Sequence, residues 1–249
     1  MTSDDCLGSH ADGLPHCMQV LETVPPVAMT NPKPGLYLFD FGVRASGVTR
    51  LKLAACPSGA VLRIRHAEIM QHAGLPDLQT VDPTMIYTGN LRSAQATDVY
   101  TCAGGSEIWA PALTYHGFRF AEVNVSSATG VVLTMDSVEM VHFASAVPQR
   151  TQVNFTSATL NKLQAMAVGA QRSNLMTIPT DCDQRDERLG WMGDANLSGE
   201  SMALNFDMSA FFSWFLLCAC SRDRLDRDRD RDEARDGLGW PLMATAGLG

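Results

Sequence analysis

Five carboxylates fall between positions 181 and 194: Asp181, Asp183, Asp186, Glu187 and Asp194. Arg185, Arg188 and Trp191 stand among them. Breaking a glycosidic bond calls for two carboxyl groups, one to protonate the leaving oxygen and one to activate water or attack the sugar. It also calls for polar groups that hold hydroxyls and for an aromatic face. This segment has all three types. A run such as Asp-Gln-Arg-Asp-Glu-Arg is more often a solvated surface with weak ion pairs. Its flanks favour a site. The run is entered through Ile178-Pro179 and left through Gly190-Trp191-Met192-Gly193, and charges beside Trp and Gly on a loop are a common setting for function.

The elements that position this loop are read from pattern. Gly35 to Phe41, Gly47 to Ala54, Ala60 to His66, Asp98 to Cys102, Glu107 to Ala110, Gly117 to Val125 and Gly130 to Phe143 are strand-like runs separated by turn residues. Short strands at this spacing predict an antiparallel sandwich. Met70 to Thr97 has weak periodicity and reads as a long loop. After Gln152 the period changes. Leu160, Leu163, Met166, Ala167 and Ala170 are spaced for a helix that Ser157 would cap and that ends near Asn174. Asn196 to Phe215 reads as one or two further helices, with Phe211, Phe212, Trp214 and Phe215 an aromatic stretch within it. The expected division is a ragged N-terminus over 1–17, a β-sandwich over 18–150, helices over 151–220, and an atypical charged, disordered tail over 221–249. That tail includes an alternating Arg-Asp run suggestive of a gene-model artefact.

Hydrophobic residues make up 45% of the 249, enough for a packed core, and the net charge is −8. That charge argues against nucleic acid and anionic membranes as partners. The apolar run from Met208 to Cys220 is too short to span a bilayer, which needs about 20 residues. The seven cysteines contain no CxxC pair, so no metal site is expected and reduced thiols are favoured. No cofactor is called for. No signal peptide opens the chain, which favours a cytoplasmic location. His66, His116 and His142 lie in or beside strand-like segments, where structural roles are expected.

The stretch Ile178-Pro179-Thr180-Asp181-Cys182-Asp183-Gln184-Arg185-Asp186-Glu187-Arg188-Leu189-Gly190-Trp191-Met192-Gly193-Asp194 resembles the signature of the bacterial-type α-L-rhamnosidases of glycoside hydrolase family 78. Phe39-Asp40-Phe41-Gly42, Arg65-His66-Ala67-Glu68, Asn90-Leu91-Arg92-Ser93-Ala94 and Thr114-Tyr115-His116-Gly117-Phe118-Arg119 resemble other family segments, in the family's order. The resemblance implies a concanavalin-like antiparallel β-sandwich, a linker helix and the first helices of an incomplete (α/α)6 barrel. It implies removal of terminal α-L-rhamnose, with inversion, from a rhamnose-containing glycoside or polysaccharide. Glu187 then matches the general acid, and Asp181, Arg185, Trp191 and Asp194 match residues lining the rhamnose pocket. Carboxylates close to Glu187 would favour its protonated form, and Arg185 would oppose this.

Three departures qualify the resemblance. Val43, Arg44 and Val48 replace residues usual in the family's opening strand. Asp183 stands where the family usually has Pro, which loosens the loop around Glu187. The family's general base is a Glu far downstream of these residues, so the chain reads as an incomplete copy, inactive alone, with an exposed apolar surface. The competing reading is a non-catalytic carbohydrate-binding or structural β-sandwich.

Overall fold

The computed structural model describes residues 18–126 and 130–217; the expected ragged N-terminus and charged tail lie outside them. Within them, alternation of apolar and polar residues builds strands. In Val61–Ala67, Leu62 and Ile64 are buried while Val61 and Arg63 face water, the period-two pattern of a half-buried strand. The strands in chain order are β1 (Met18–Val24), β2 (Ala28–Lys33), β3 (Leu36–Cys56), β4 (Val61–Ala67), β5 (Ile69–Met70), β6 (Ile86–Tyr87), β7 (Thr97–Thr101), β8 (Gly105–Trp109), β9 (His116–Val125) and β10 (Val138–Ser145). Eight of them form one antiparallel sheet with the path β1-β10-β3-β9-β4-β7, to which β2 and β8 add by pairing with β3.

The strand β3 organises this sheet. The two runs 35–41 and 47–54 are one continuous strand, not two. Between Asp40 and Ala45 its register against β9 shifts, which marks a bulge, and Gly42 there has φ +73°. Across the bulge β9 pairs with both halves, through Asp40 and again from Ala45 to Gly47, while the first half also pairs with β2 and the second half with β10 and β8. The sheet thus curls over a core that includes Phe39, Phe41, Leu51, Leu62, Ile64, Phe118 and Met140. Each such side chain contributes about 1.5–3 kcal/mol through removal from water. Pro32 is tolerated because it falls where β2 loses register with β3.

Several expectations change. Residues 70–97 are not featureless: β5 and β6 pair, and Ile86 joins Leu38, Ala67 and Phe120 in a second cluster. The run 130–143 is a strand only from Val138, after a 3-10 turn at Met135–Ser137. Reduced thiols are not what Cys56 and Cys102 show; they form a disulfide with Cα atoms 6.0 Å apart. The pairing follows from the backbone, because Cys102 N–H donates to Ala60 O and Gly59 N–H to Cys102 O, which brings the two chain segments side by side.

The helical part follows. The helix α1 (Ala158–Ser173) is capped by Ser157, whose hydroxyl accepts from Leu160 N–H, and Asn174 closes it. A short hairpin, β11 (Leu175–Met176) and β12 (Ile178–Pro179), turns at Thr177, which has φ +64°. After the acidic loop come α2 (Met192–Asn205) and a third helix, α3, over 209–217. Leu175, Met202, Phe206, Met208 and Phe211 pack together with Val147 at the foot of the sheet. Phe211 and Phe215 are buried, so the aromatic stretch is core. Exposed apolar side chains remain on all three helices, among them Leu160, Leu163 and Met166 on α1, Leu197 and Leu204 on α2, and Leu216 and Leu217 on α3.

Candidate active site

The acidic segment leaves the β11–β12 hairpin and closes on itself. Asp181 N–H donates to Leu189 O, and Leu189 N–H donates to Asp181 Oδ1 at 2.8 Å. The Cys182 sulfur accepts from Arg188 N–H, and Arg188 Nε donates to Arg185 O at 3.0 Å. Arg188 takes φ +53°, a left-handed conformation a non-glycine residue holds only where its surroundings fix it. Gly190 passes close to Ile178 and Phe215, each about 3.0 Å from where a Cβ would stand, so a larger residue there would displace the loop.

The loop is also fastened to the sheet. Arg188 donates to Tyr115 O at 2.8 Å, and its guanidinium lies 4.3 Å from the Tyr115 ring centre. Arg44 of β3 pairs with Asp183 and with Glu68, and Asn90 donates to Glu68 at 2.7 Å. Asp183 is fully buried. Burial drives its pKa up to about 6, Arg44 opposes the rise and Glu68 adds to it. Ser93 donates to Asp186, which holds that carboxyl below the usual range.

Glu187 sits at the exposed lip of this loop. Its Oε2 accepts from Arg92 at 2.8 Å and faces Arg185 at 3.1 Å; its Oε1 accepts from Trp191 Nε1 at 3.1 Å. Arg185 also donates to Asp181 at 3.2 Å, so one guanidinium nitrogen bridges the two carboxylates. Burial raises the Asp181 pKa, but donors from Cys182, Leu189 and Arg185 outweigh it and hold the group low. Four of the five sequence-derived site residues are therefore linked in one chain of contacts, Asp181 to Arg185, Arg185 to Glu187 and Glu187 to Trp191. Asp194, in the first turn of α2, makes no side-chain contact with them among the described residues.

Arg92 and Ser93 were not singled out as site residues by sequence reasoning, though their segment was. They belong to a loop 95 and 93 positions from their partners. A signal exists only in the backbone: Arg92 has φ +56°, which directs the chain after the 3-10 turn Gly89–Leu91.

Among the described residues, two groups bring ligand-type atoms within 4.8 Å of one another: Asp181, Cys182 and Glu187, and His66, Asp98 and His116. In the first, Arg185 already bridges the carboxylates, and burial pushes the Cys182 thiol up, away from the thiolate a metal needs. In the second, the two imidazoles are stacked with planes 15° apart and centres 4.1 Å apart, so their in-plane lone pairs do not converge on one point. His116 Nε2 instead donates to Asp98.

The described residues thus form a curled antiparallel sheet joined through one helix and a carboxylate-bearing loop to further helices. Residues 30–144 match the bacterial alpha-L-rhamnosidase concanavalin-like domain, and residues 148–225 match the bacterial alpha-L-rhamnosidase 6 hairpin glycosidase domain. The chain therefore belongs to the bacterial-type α-L-rhamnosidase family. It is 35% identical over 208 residues to an alpha-L-rhamnosidase of Streptomyces avermitilis, covering 80% of this chain and 18% of that protein. The solved structure of an alpha-L-rhamnosidase from Dictyoglumus thermophilum aligns with TM-score 0.73 and 38% identity, over 82% of this chain and 22% of that one. The Streptomyces avermitilis alpha-L-rhamnosidase complexed with L-rhamnose aligns with TM-score 0.71 and 34% identity, over 82% of this chain and 19% of that one. The chain spans about a fifth of the length of these relatives.

Proposed function

We propose that this chain carries the acid half of a site that removes terminal α-L-rhamnose from glycosides with inversion, with Glu187 as proton donor. The observation that carries the reading is the convergence on Glu187 of Arg185, Trp191 and Arg92, with Asp181 joined through Arg185. Asp181, Arg185, Trp191 and Asp194 line the sugar pocket. Trp191 is half exposed and offers an apolar face to a pyranose ring.

The step asks Glu187 to place a proton on the glycosidic oxygen as the bond to the anomeric carbon breaks. In the free protein both carboxylate oxygens are occupied by donors. One donor must give way for an oxygen to carry a proton to substrate, and catalytic hydrogen bonds commonly rearrange when substrate enters. Arg92, whose side chain is 57% exposed, is the partner freest to move. Water must then attack from the opposite face, activated by a second carboxylate roughly 6.5–9.5 Å from the first in an inverting enzyme. We assign that base to no described residue; the resemblance implies one in a later part of the helical domain.

Hydrolysis of nitrophenyl α-L-rhamnoside, together with binding of L-rhamnose followed by calorimetry, tests this. The expected result is rhamnose binding lost in Asp181→Ala, with turnover at or near background. Turnover that Glu187→Gln abolishes would show that the chain holds its own base. No rhamnose binding in a folded chain would sink the reading.

A further inference from the structure

Between Leu91 and Ala94 the backbone takes a turn that arginine does not favour. Ala94 N–H donates to Leu91 O at 3.1 Å, which closes four residues with Arg92 and Ser93 at their centre. Arg92 has φ +56° and ψ −119°. These are the angles of the first central position of a type II′ turn, where glycine is the residue without steric cost. The turn is pinned on both sides. Before it, Leu91 is buried, its N–H donates to Thr88 O, and Asn90 donates to Glu68 at 2.7 Å. After it, Ala96 O accepts from the backbone N–H and from the Nδ1–H of His66.

The two central residues meet two consecutive carboxylates of the acidic loop. Arg92 donates to Glu187 Oε2 at 2.8 Å, and Ser93 donates to Asp186, whose charge also acts on the Arg92 guanidinium. Stability does not account for this arrangement. The Arg92 side chain is 57% exposed, and an exposed ion pair contributes less than a glycine-type backbone conformation costs in a residue with a Cβ. What the strained backbone secures is the place of the guanidinium, aimed at the lip of a loop 95 positions away in the chain. Arg185 and Trp191 also hold Glu187, but they belong to its own loop and move with it. Arg92 instead refers Glu187 to a segment fastened to the sheet through His66 and Glu68.

We propose that Arg92 is a positioning residue, through which the strained turn Leu91–Ala94 fixes the direction in which Glu187 presents its carboxyl. The inference rests on the proposed hydrolase reading for the role of Glu187 as proton donor, but the positioning stands on the geometry of the turn. Arg92 acts through Glu187 and touches no reacting atom. Its guanidinium is exposed while its backbone is fixed. The side chain therefore withdraws when a leaving oxygen reaches Glu187, and returns when the product has left, with no movement of the turn.

A spectroscopic readout tests this apart from turnover. Trp191 Nε1–H donates to Glu187 Oε1 at 3.1 Å, so its exchange with water reports whether the carboxyl stays in place. The indole signal is followed by NMR of the full chain and assigned with Trp191→Phe. Arg92→Ala removes the guanidinium and keeps the backbone strain; Arg92→Gly removes both. In each variant the Trp191 indole N–H should exchange at least about fivefold faster than in the native chain, because Glu187 is no longer held from the sheet side. Arg92→Gly should nevertheless unfold about 2–4 °C above Arg92→Ala, through relief of the strained turn. Unchanged Trp191 exchange in both variants overturns the proposal. Faster exchange in Arg92→Ala alone overturns it as well, since Arg92 would then serve only the stability of the turn. Equal thermal midpoints would equally overturn it, by removing the strain that fixes the guanidinium. Faster exchange in both variants of a chain that binds no L-rhamnose in calorimetry would instead count against the hydrolase reading alone.

Discussion

Arg44 in the long strand β3 pairs with Asp183 in the acidic loop, 139 positions along the chain, and so ties the geometry around Glu187 to the curled sheet. Asp183 is fully buried, one of its oxygens has no hydrogen-bond partner, and its pKa is driven up to about 6 by burial. An acid whose pKa is higher folded than unfolded binds its proton more tightly in the native state. Its contribution to stability is therefore fully present below about pH 4 and is lost as pH rises through 6. Urea denaturation of the native chain and of Asp183→Asn should show this. The native chain's stability relative to the variant should fall by roughly 2–3 kcal/mol between pH 4 and pH 7. A constant difference across that window would show that Asp183 is ionised throughout.

The same carboxyl lies directly against Gly117 in β9, where an added Cβ would collide with it. The position has ordinary strand backbone, so crowding alone, and not φ, demands glycine. Gly117→Ala should cost about 1–3 kcal/mol, the usual penalty of overpacking a closed site. In an Asp183→Ala background the obstacle is gone. A double-mutant cycle should then return a coupling of about 1 kcal/mol or more, because the two side chains share one space. Additive losses would mean that the strand, and not the loop, sets the cost.

How far residue types alone reveal the site depends on chain distance. Asp181, Arg185, Glu187 and Trp191 are legible because they lie on one loop, and local spacing brings them together. Arg92 and Ser93 are not, since nothing in a loop without periodicity says which other loop it will meet. The same limit applies to helices. The spacing of Leu160, Leu163 and Met166 predicts α1, and α1 forms, yet these side chains are 46%, 55% and 69% exposed. Periodicity identifies the face that favours burial; it does not supply the neighbour that covers it. The aromatic stretch 211–215 is the converse case, buried through Phe206, Met202 and Gly190, residues outside its own period.

His66 titrates in the opposite sense to Asp183. Its Nδ1–H donates to Ala96 O, its Nε2 accepts from the Thr49 hydroxyl at 2.9 Å, and its ring stacks on His116. Burial, and next the charge of His116, depress its pKa to about 3. A base whose folded pKa lies below its unfolded value costs stability as pH falls through the unfolded value near 6.5, when only the unfolded chain takes up the proton. Between pH 6.5 and 4.5 this amounts to roughly 2–3 kcal/mol from His66 alone. The variant His66→Gln should start less stable, through lost hydrogen bonds, but its denaturation midpoint should vary less with pH over that interval. A variant as acid-sensitive as the native chain would shift the origin of the effect to His142, whose pKa burial also lowers.

The disulfide between Cys56 and Cys102 closes a loop whose ends are 46 positions apart. That loop contains β4, β5, β6 and β7 together with Arg92 and Ser93, so the bond restrains the segment that meets Glu187 and Asp186. Restricting the unfolded chain in this way stabilises by about 2–4 kcal/mol in the chain-entropy account. Reduction with dithiothreitol, or the double substitution Cys56→Ala with Cys102→Ala, should lower the denaturation free energy by that amount. The acidic loop is held by other groups, namely Arg44, Tyr115 and Arg188, so L-rhamnose binding by the reduced chain should persist at temperatures where it remains folded. Binding lost on reduction well below the unfolding transition would show instead that the loop carrying Arg92 and Ser93 depends on the disulfide for its placement against Glu187 and Asp186.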